Sequence, residues 1–216
     1  MEWNQDHSIS LLPRPIVMNG LDEHNEIGSL RVTLANRERR SLNIGSVNNA
    51  GVLFIIFARY DKKHILFTKR SQSVGRHKGE ISLPGGVFDR NEGDVSILDT
   101  AIRETKEEIG ISIDHSSIIG ELDDVPTHVS DFIITPFIAY LDNLPPLSLN
   151  YHEIDSLVEV PLDGFFQDKV FSRENVELNG RKIMLDFFRI NGNVIWGATG
   201  AILRQFLDLL RAPINQ

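Results

Sequence analysis

The stretch that most constrains this chain runs from Pro84 to Ile111 and reads PGGVFDRNEGDVSILDTAIRETKEEIGI. At about 100° per residue, Glu104, Glu107 and Glu108 fall at i, i+3 and i+4 and share one face of a helix. Leu98, Ala101, Ile102, Thr105 and Ile109 form a largely apolar stripe roughly a third of a turn away, so the helix is expected to bury that stripe and leave the three carboxylates accessible. Ser96 with Asp99 three residues on resembles a capping box, Asp94 is a rival N-cap, and Gly110 can take the left-handed conformation that ends a helix. The stripe also fixes the rotation of the helix, because turning it would bury carboxylates at several kcal/mol each.

Like charges at i,i+4 repel by a few tenths of a kcal/mol, and three in a tight space repel more. Arg103 offsets part of this. A hard divalent cation is the stronger candidate, since Mg²⁺ takes oxygen ligands from one or two carboxylates together with substrate phosphates. The competing reading is a solvated acidic face, which a bare RExxEE string favours and the Gly-Gly turn ahead of it weakens.

Gly86, Arg103, Glu104, Thr105, Glu107, Glu108, Gly110 and Ile111 resemble the Nudix box, in which a glycine, a glutamate and the pattern REUxEExGU (U aliphatic) mark hydrolases of nucleoside diphosphates linked to another moiety. Thr105 stands where an aliphatic residue is usual. The family usually places seven residues between the middle acid and the arginine. Here ten separate Glu92 from Arg103 and eight separate Asp94 from it, so both acids are candidates, and the extra residues are expected to bulge ahead of the helix without shifting its register. Thr68 to Ser71 (TKRS), His77 to Gly79 (HKG), Pro84 to Gly86 (PGG) and the later WGAT at 196–199 look like the CoA-pyrophosphatase branch of that family.

The resemblance implies Mg²⁺ or Mn²⁺ held by Glu104, Glu107 and Glu108, with Arg103 orienting the glutamates. Glu153, in YHEIDSLVEVPL, resembles the distal acid of the family, and the general base comes from there or from the box. The implied reaction is hydrolysis of the pyrophosphate of CoA or acyl-CoA to 3′,5′-ADP and (acyl-)4′-phosphopantetheine. Two other readings stand beside it: another nucleoside diphosphate derivative such as ADP-ribose, and a nucleotide-binding module without turnover. Gly85 and Gly86 are expected to serve positive φ or close backbone approach at the substrate, and His77 is a binding candidate.

The formal net charge is −8, yet residues 59–78 carry seven Lys or Arg against Asp61 alone, or +6. That asymmetry suits a local anion site lined by Arg70, Arg76 and Lys78 and argues against a nucleic-acid surface. Cysteine is absent, no apolar run approaches the length of a membrane span, and the start carries acids with no apolar core, so a soluble cytoplasmic protein with a small nucleotide substrate is expected. A homodimer stays open.

At 216 residues the chain reads as a single domain over 48–216 behind an extension at 1–47, in which Leu30 to Leu34 alternates like a short strand. Gly51–Tyr60 and His64–Lys69 read as a hairpin whose first strand is buried on both faces. Residues 112–122 and 132–141 read as strands, the second near an edge or entering late because of Pro136. Glu121, Asp123 and Asp124 between them read as a solvated loop. Asn179-Gly180 signals a second hairpin, and Ile202, Phe206, Leu209 and Leu210 share a face of a terminal helix. Strands and helices interleave without βαβ regularity, so the fold class is an α/β sandwich around a mixed central sheet, the αβα arrangement that the Nudix resemblance also implies.

Overall fold

The apolar run at 51–58 becomes the middle of the sheet. The computed structural model describes residues 23–42, 48–75, 77–127, 131–178 and 180–211. In chain order these form α1 (Glu23–Asn36), β1 (Asn48–Arg59), β2 (Lys62–Arg70), β3 (Ile81–Ser82), β4 (Gly85–Val87), α2 (Ile97–Ile109), β5 (Ile118–Glu121), β6 (Val125–Pro126), β7 (Phe132–Leu141), β8 (Ile154–Pro161), β9 (Phe171–Leu178), β10 (Arg181–Ile190), β11 (Asn193–Ile195) and α3 (Gly197–Arg211). The β1–β2 hairpin turns on Tyr60 and Asp61, both at positive φ (51° and 56°), which matches the twist of a two-residue hairpin. Lys62 and Lys63 therefore belong to β2 and not to the turn.

β1 and β7 run parallel in register from Asn48↔Phe132 to Phe57↔Leu141, and the other pairings are antiparallel, so the sheet is mixed. Its path is β3-β2-β1-β7-β5, with β4 on β1, β6 on β7 and β8 on β2. Alternation along β1 divides its side chains between two cores. Leu53, Ile55 and Phe57 face Ala101 and Ile109 of α2, while Phe54 and Ile56 face Ile202, Leu203, Phe206 and Leu207 of α3. Each large side chain buried in this way contributes roughly 1.5–3 kcal/mol. The result is an αβα sandwich. β9 and β10, joined at 179–180, form a second sheet with β11, and Phe188, Ile190 and Ile195 tie it to the α3 core. No helix among the described residues is long and apolar enough to cross a membrane.

Two expectations fail here. Residues 30–34 lie in α1, not in a strand: Leu30 and Leu34, at i and i+4, join the α3 core, while Val32 is 59% exposed. Residues 112–117 carry no strand, and β5 is limited to 118–121. Pro136 does lie near an edge, in β7, one strand in from β5 at the end of the sheet. Its carbonyl accepts from Leu122 N–H (2.9 Å) in the gap between β5 and β6, so the missing amide hydrogen faces a place where the ladder is already interrupted.

Leu34→Ala is expected to lower unfolding stability by roughly 2–5 kcal/mol, and Val32→Ala by no more than about 0.5 kcal/mol. Urea unfolding of both variants checks this, and comparable losses from the two would contradict the helical packing.

Candidate active site

α2 starts and ends where its sequence marks it. Ser96 Oγ accepts from the Asp99 N–H (3.2 Å) and donates to Asp99 Oδ2 (2.7 Å), and Gly110 closes the helix at φ 79°. Around the helix axis, Glu108 lies about 20° from Ala101, Glu104 about 60° and Glu107 about 120°. Exposure follows that order: Glu108 is 3% exposed, the Glu104 side chain 21% and the Glu107 side chain 53%. The expectation that all three carboxylates stay accessible therefore fails at Glu108, which continues the buried row of Ala101 and Thr105. Thr105 fits its aliphatic position because its Oγ1 donates to Ala101 O (2.7 Å), leaving only a methyl group to pack.

Glu108 is covered by β4 and by the loop at 148–153. Gly85 N–H donates to Glu108 Oε2 (3.3 Å), and Asn150 N–H donates to the Glu108 carbonyl (2.9 Å). Burial pushes the Glu108 carboxyl up to about 8, against the Gly85 N–H and the charge of Arg70, with Glu104 and Glu153 adding to the rise. Burial also raises Glu104, which Arg103 opposes and the Glu107 and Glu153 charges reinforce. Glu153 thus lies within electrostatic reach of both, oriented by Asn150 Nδ2 on its Oε1 (3.1 Å), while its carbonyl accepts from Ser71 N–H (2.7 Å).

The glycine turn closes the other side. Gly85 adopts φ 145°, and a Cβ there would lie 2.2 Å from Gly51 O; a Cβ on Gly86 would lie 2.4 Å from Glu104 Cδ. Both positions need glycine to let the strand approach β1 and the Glu104 carboxylate.

Of the two acids ahead of α2, Asp94 is the one that meets Arg103. Its oxygens accept from Arg103 Nε (2.9 Å) and Nη2 (3.0 Å), and its Oδ2 also accepts from Thr100 Oγ1 (2.7 Å). Glu92 is exposed on a short 3₁₀ turn at 90–92, where the extra residues bulge. The Arg103 hydrogen bonds, with smaller help from Thr100 and the Asp89 N–H, hold the buried Asp94 carboxyl down at about 2. Arg103 Nη1 then reaches Glu104 (3.0 Å) and Glu107 (3.2 Å). Thr100 and Asn150 had not stood out in the sequence, where their only signal is spacing from Asp94 and Glu153.

Of the cationic candidates, Arg70 ends β2 beside the site, and its buried Nε has no hydrogen-bond partner among the described residues. His77 lies on the neighbouring turn and pairs through Nδ1 with Glu80 (3.0 Å), while Gly79 N–H donates to Arg70 O (3.0 Å). Lys78 is exposed on that turn, and Arg76 lies outside the described residues. Glu121, Asp123 and Asp124 are not a solvated loop: Arg39 pairs with Glu121 and Asp124, and Arg37 with Asp123.

The donors at the site suit a hard divalent cation in kind, being acidic oxygens that raise one another's proton affinity. Among the described residues no three acids or histidines stand grouped at ligand spacing, and Arg103 pairs with both Glu104 and Glu107.

The NUDIX domain family model matches residues 49–178. This chain belongs to the Nudix family. It is 29% identical to the peroxisomal coenzyme A diphosphatase NUDT7 of Mus musculus, over 82% of this chain and 72% of that one. It is 34% identical to the mitochondrial coenzyme A diphosphatase NUDT8 of Mus musculus, over 70% of this chain and 73% of that one. A crystal structure of a MutT/nudix family protein from Enterococcus faecalis superposes at TM-score 0.54 and 14% identity, over 88% of this chain and 75% of that one, and so shares the fold. The chain is accordingly a Nudix pyrophosphohydrolase.

Asp94→Asn is expected to destabilise the protein by roughly 2–3 kcal/mol by leaving Arg103 incompletely paired, while Glu92→Gln has little effect. Because the Asp94 carboxyl is depressed when folded, its contribution is complete above 3.8 and is lost as pH falls through about 2. Unfolding curves against pH check both points: the gap between wild type and Asp94→Asn is to close in acid.

Proposed function

We propose that this enzyme hydrolyses the pyrophosphate of CoA or a short acyl-CoA to 3′,5′-ADP and (acyl-)4′-phosphopantetheine. The observation that carries the reading is Arg70, a half-buried side chain beside Glu108 whose buried Nε has no hydrogen-bond partner among the described residues. A buried donor left open next to carboxylates is suited to an anionic oxygen of the substrate. The TKRS, HKG, PGG and WGAT phrases and the likeness to coenzyme A diphosphatases support the choice of substrate. Those two relatives are organellar by name, so they carry no compartment to this chain.

Glu104, Glu107 and Glu108 would hold Mg²⁺ or Mn²⁺, which when bound neutralises phosphoryl oxygens and lowers the pKa of water. The rest is work for the protein's own groups. Arg103, anchored by Asp94, positions Glu104 and Glu107. Arg70 binds a pyrophosphate oxygen. Glu153, held by Asn150, takes the proton of the attacking water as the phosphorus–oxygen bond forms and the other phosphate leaves. Lys78, on the turn after Arg70, receives the 3′-phosphate that distinguishes CoA from ADP-ribose, with Arg76, two residues earlier in the sequence, as the second candidate.

Chelation of divalent ions is expected to abolish turnover. Glu107→Gln and Glu108→Gln should each lower it by on the order of a hundredfold or more with unchanged circular dichroism; near-native rates from both would contradict the assignment of this face.

The substrate is tested with CoA, 3′-dephospho-CoA and ADP-ribose, with the products identified. A charge-assisted contact of about 2 kcal/mol corresponds to roughly a thirtyfold preference for CoA over 3′-dephospho-CoA. Arg70→Ala should slow both substrates alike, whereas Lys78→Ala or Arg76→Ala should erase the preference. Equal wild-type rates on the two would reject 3′-phosphate recognition and leave the hydrolysis standing.

A further inference from the structure

β9 is an edge strand. Among the described residues it pairs with β10 alone, and its segment FSRENVEL contains no proline, glycine or bulge. Such an edge presents a row of N–H and C=O groups ready to pair with another strand. Natural sheets usually block edges with inward charges, prolines or twist; here the one inward charge, Glu174, is paired with Arg189 of β10 (2.7 Å), and Arg173, Asn175 and Glu177 face outward and are exposed.

Geometry limits how a second copy can add to this edge. One continuous sheet made from two copies needs a two-fold axis perpendicular to it, so that each face stays on its own side. Directly opposed residues share a face, so the axis must pass through a residue and not between two. Within Phe171–Leu178, centres on Glu174 and on Asn175 give equal overlap. The first sets two carboxylates against each other. The second sets Arg173 opposite the partner's Glu177, twice by symmetry.

Inside each copy, β10 already places Asp186 beside Arg173 and Lys182 beside Glu177, and Arg173 Nε donates to Asp186 Oδ1 (2.7 Å). Across the joined sheet the row therefore reads Asp186, Arg173, the partner's Glu177 and the partner's Lys182, alternating in sign from end to end. On the opposite face Glu174 meets the partner's Val176, so no like charges are opposed. Met184, paired with Asn175 and 53% exposed, sits beside the axis.

We propose that this protein forms a two-fold dimer in which β9 pairs antiparallel with β9 of a second copy, centred on Asn175. The occupant is the chain itself because its charge order complements its own reversed copy.

The test uses the full chain in sedimentation equilibrium over a concentration series, with wild type, Arg173→Glu and Glu177→Arg. Wild type is expected to dimerise. Each variant alone turns two cross-interface pairs repulsive and should weaken self-association by on the order of tenfold or more. An equimolar mixture of the two variants restores opposite charges at both contacts and should dimerise as wild type does, an outcome that general destabilisation cannot imitate. Circular dichroism checks each fold, with Arg173→Asp and Glu177→Lys as the second pair should either variant misfold. A monomeric wild type, single variants that associate as tightly as wild type, or a mixture that stays monomeric each overturns the proposal.

Discussion

Arg103 stands between the fold and the chemistry, because one guanidinium is gripped by buried Asp94 and at the same time reaches Glu104 and Glu107. Two carboxylates on neighbouring positions of one helical face repel each other, and a helix carrying them needs a counter-charge to hold its side chains in place. That counter-charge is useful only if it is itself fixed. Asp94 supplies the fixing: it sits in the segment leading into α2, is pinned by Thr100 from within the helix, and so joins the start of α2 to its acidic face. Glu108 is outside this arrangement. It relies on the Gly85 N–H and the charge of Arg70, which explains how one helix can present carboxylates with different proton affinities.

Much of the architecture was legible because it follows from local rules. The apolar run of β1, the two hairpins, the capped α2 and the amphipathic α3 each carry their own signal within a dozen residues or so. The failures arise where a longer-range fact decides. Leu30, Val32 and Leu34 satisfy a strand pattern and a helix pattern equally well, and only packing under the sheet picks the helix. Pro136 signalled a strand near an edge, but the break between β5 and β6 that it faces cannot be read from its own neighbours.

The site divides in the same way. The three glutamates and their common face were visible in the spacing. The burial of Glu108 was also written there, in its alignment with Ala101 and Thr105, but the charge of the side chain drew attention away from its angle. The choice between Glu92 and Asp94 needed coordinates, because an insertion ahead of a helix can bulge from either side of the acid. The pairing of Arg37 and Arg39 with Asp123 and Asp124 joins segments too far apart in sequence for either to announce the other.

The parallel ladder between β1 and β7 has a bearing on how the molecule comes into being. Its partners lie 84 residues apart (132 − 48), and the ladder runs the length of the most apolar strand in the chain. Closing so long a loop costs entropy before any contact repays it. During synthesis β1 and β2 emerge early, and one flank of β1 then waits, uncovered, until residues up to Leu141 have followed. The nascent chain is therefore at its stickiest in mid-synthesis, and a fragment ending before β7 would carry an apolar strand edge with nothing to satisfy it. The strand that gives the finished protein its rigidity is the one that most exposes the unfinished protein to aggregation.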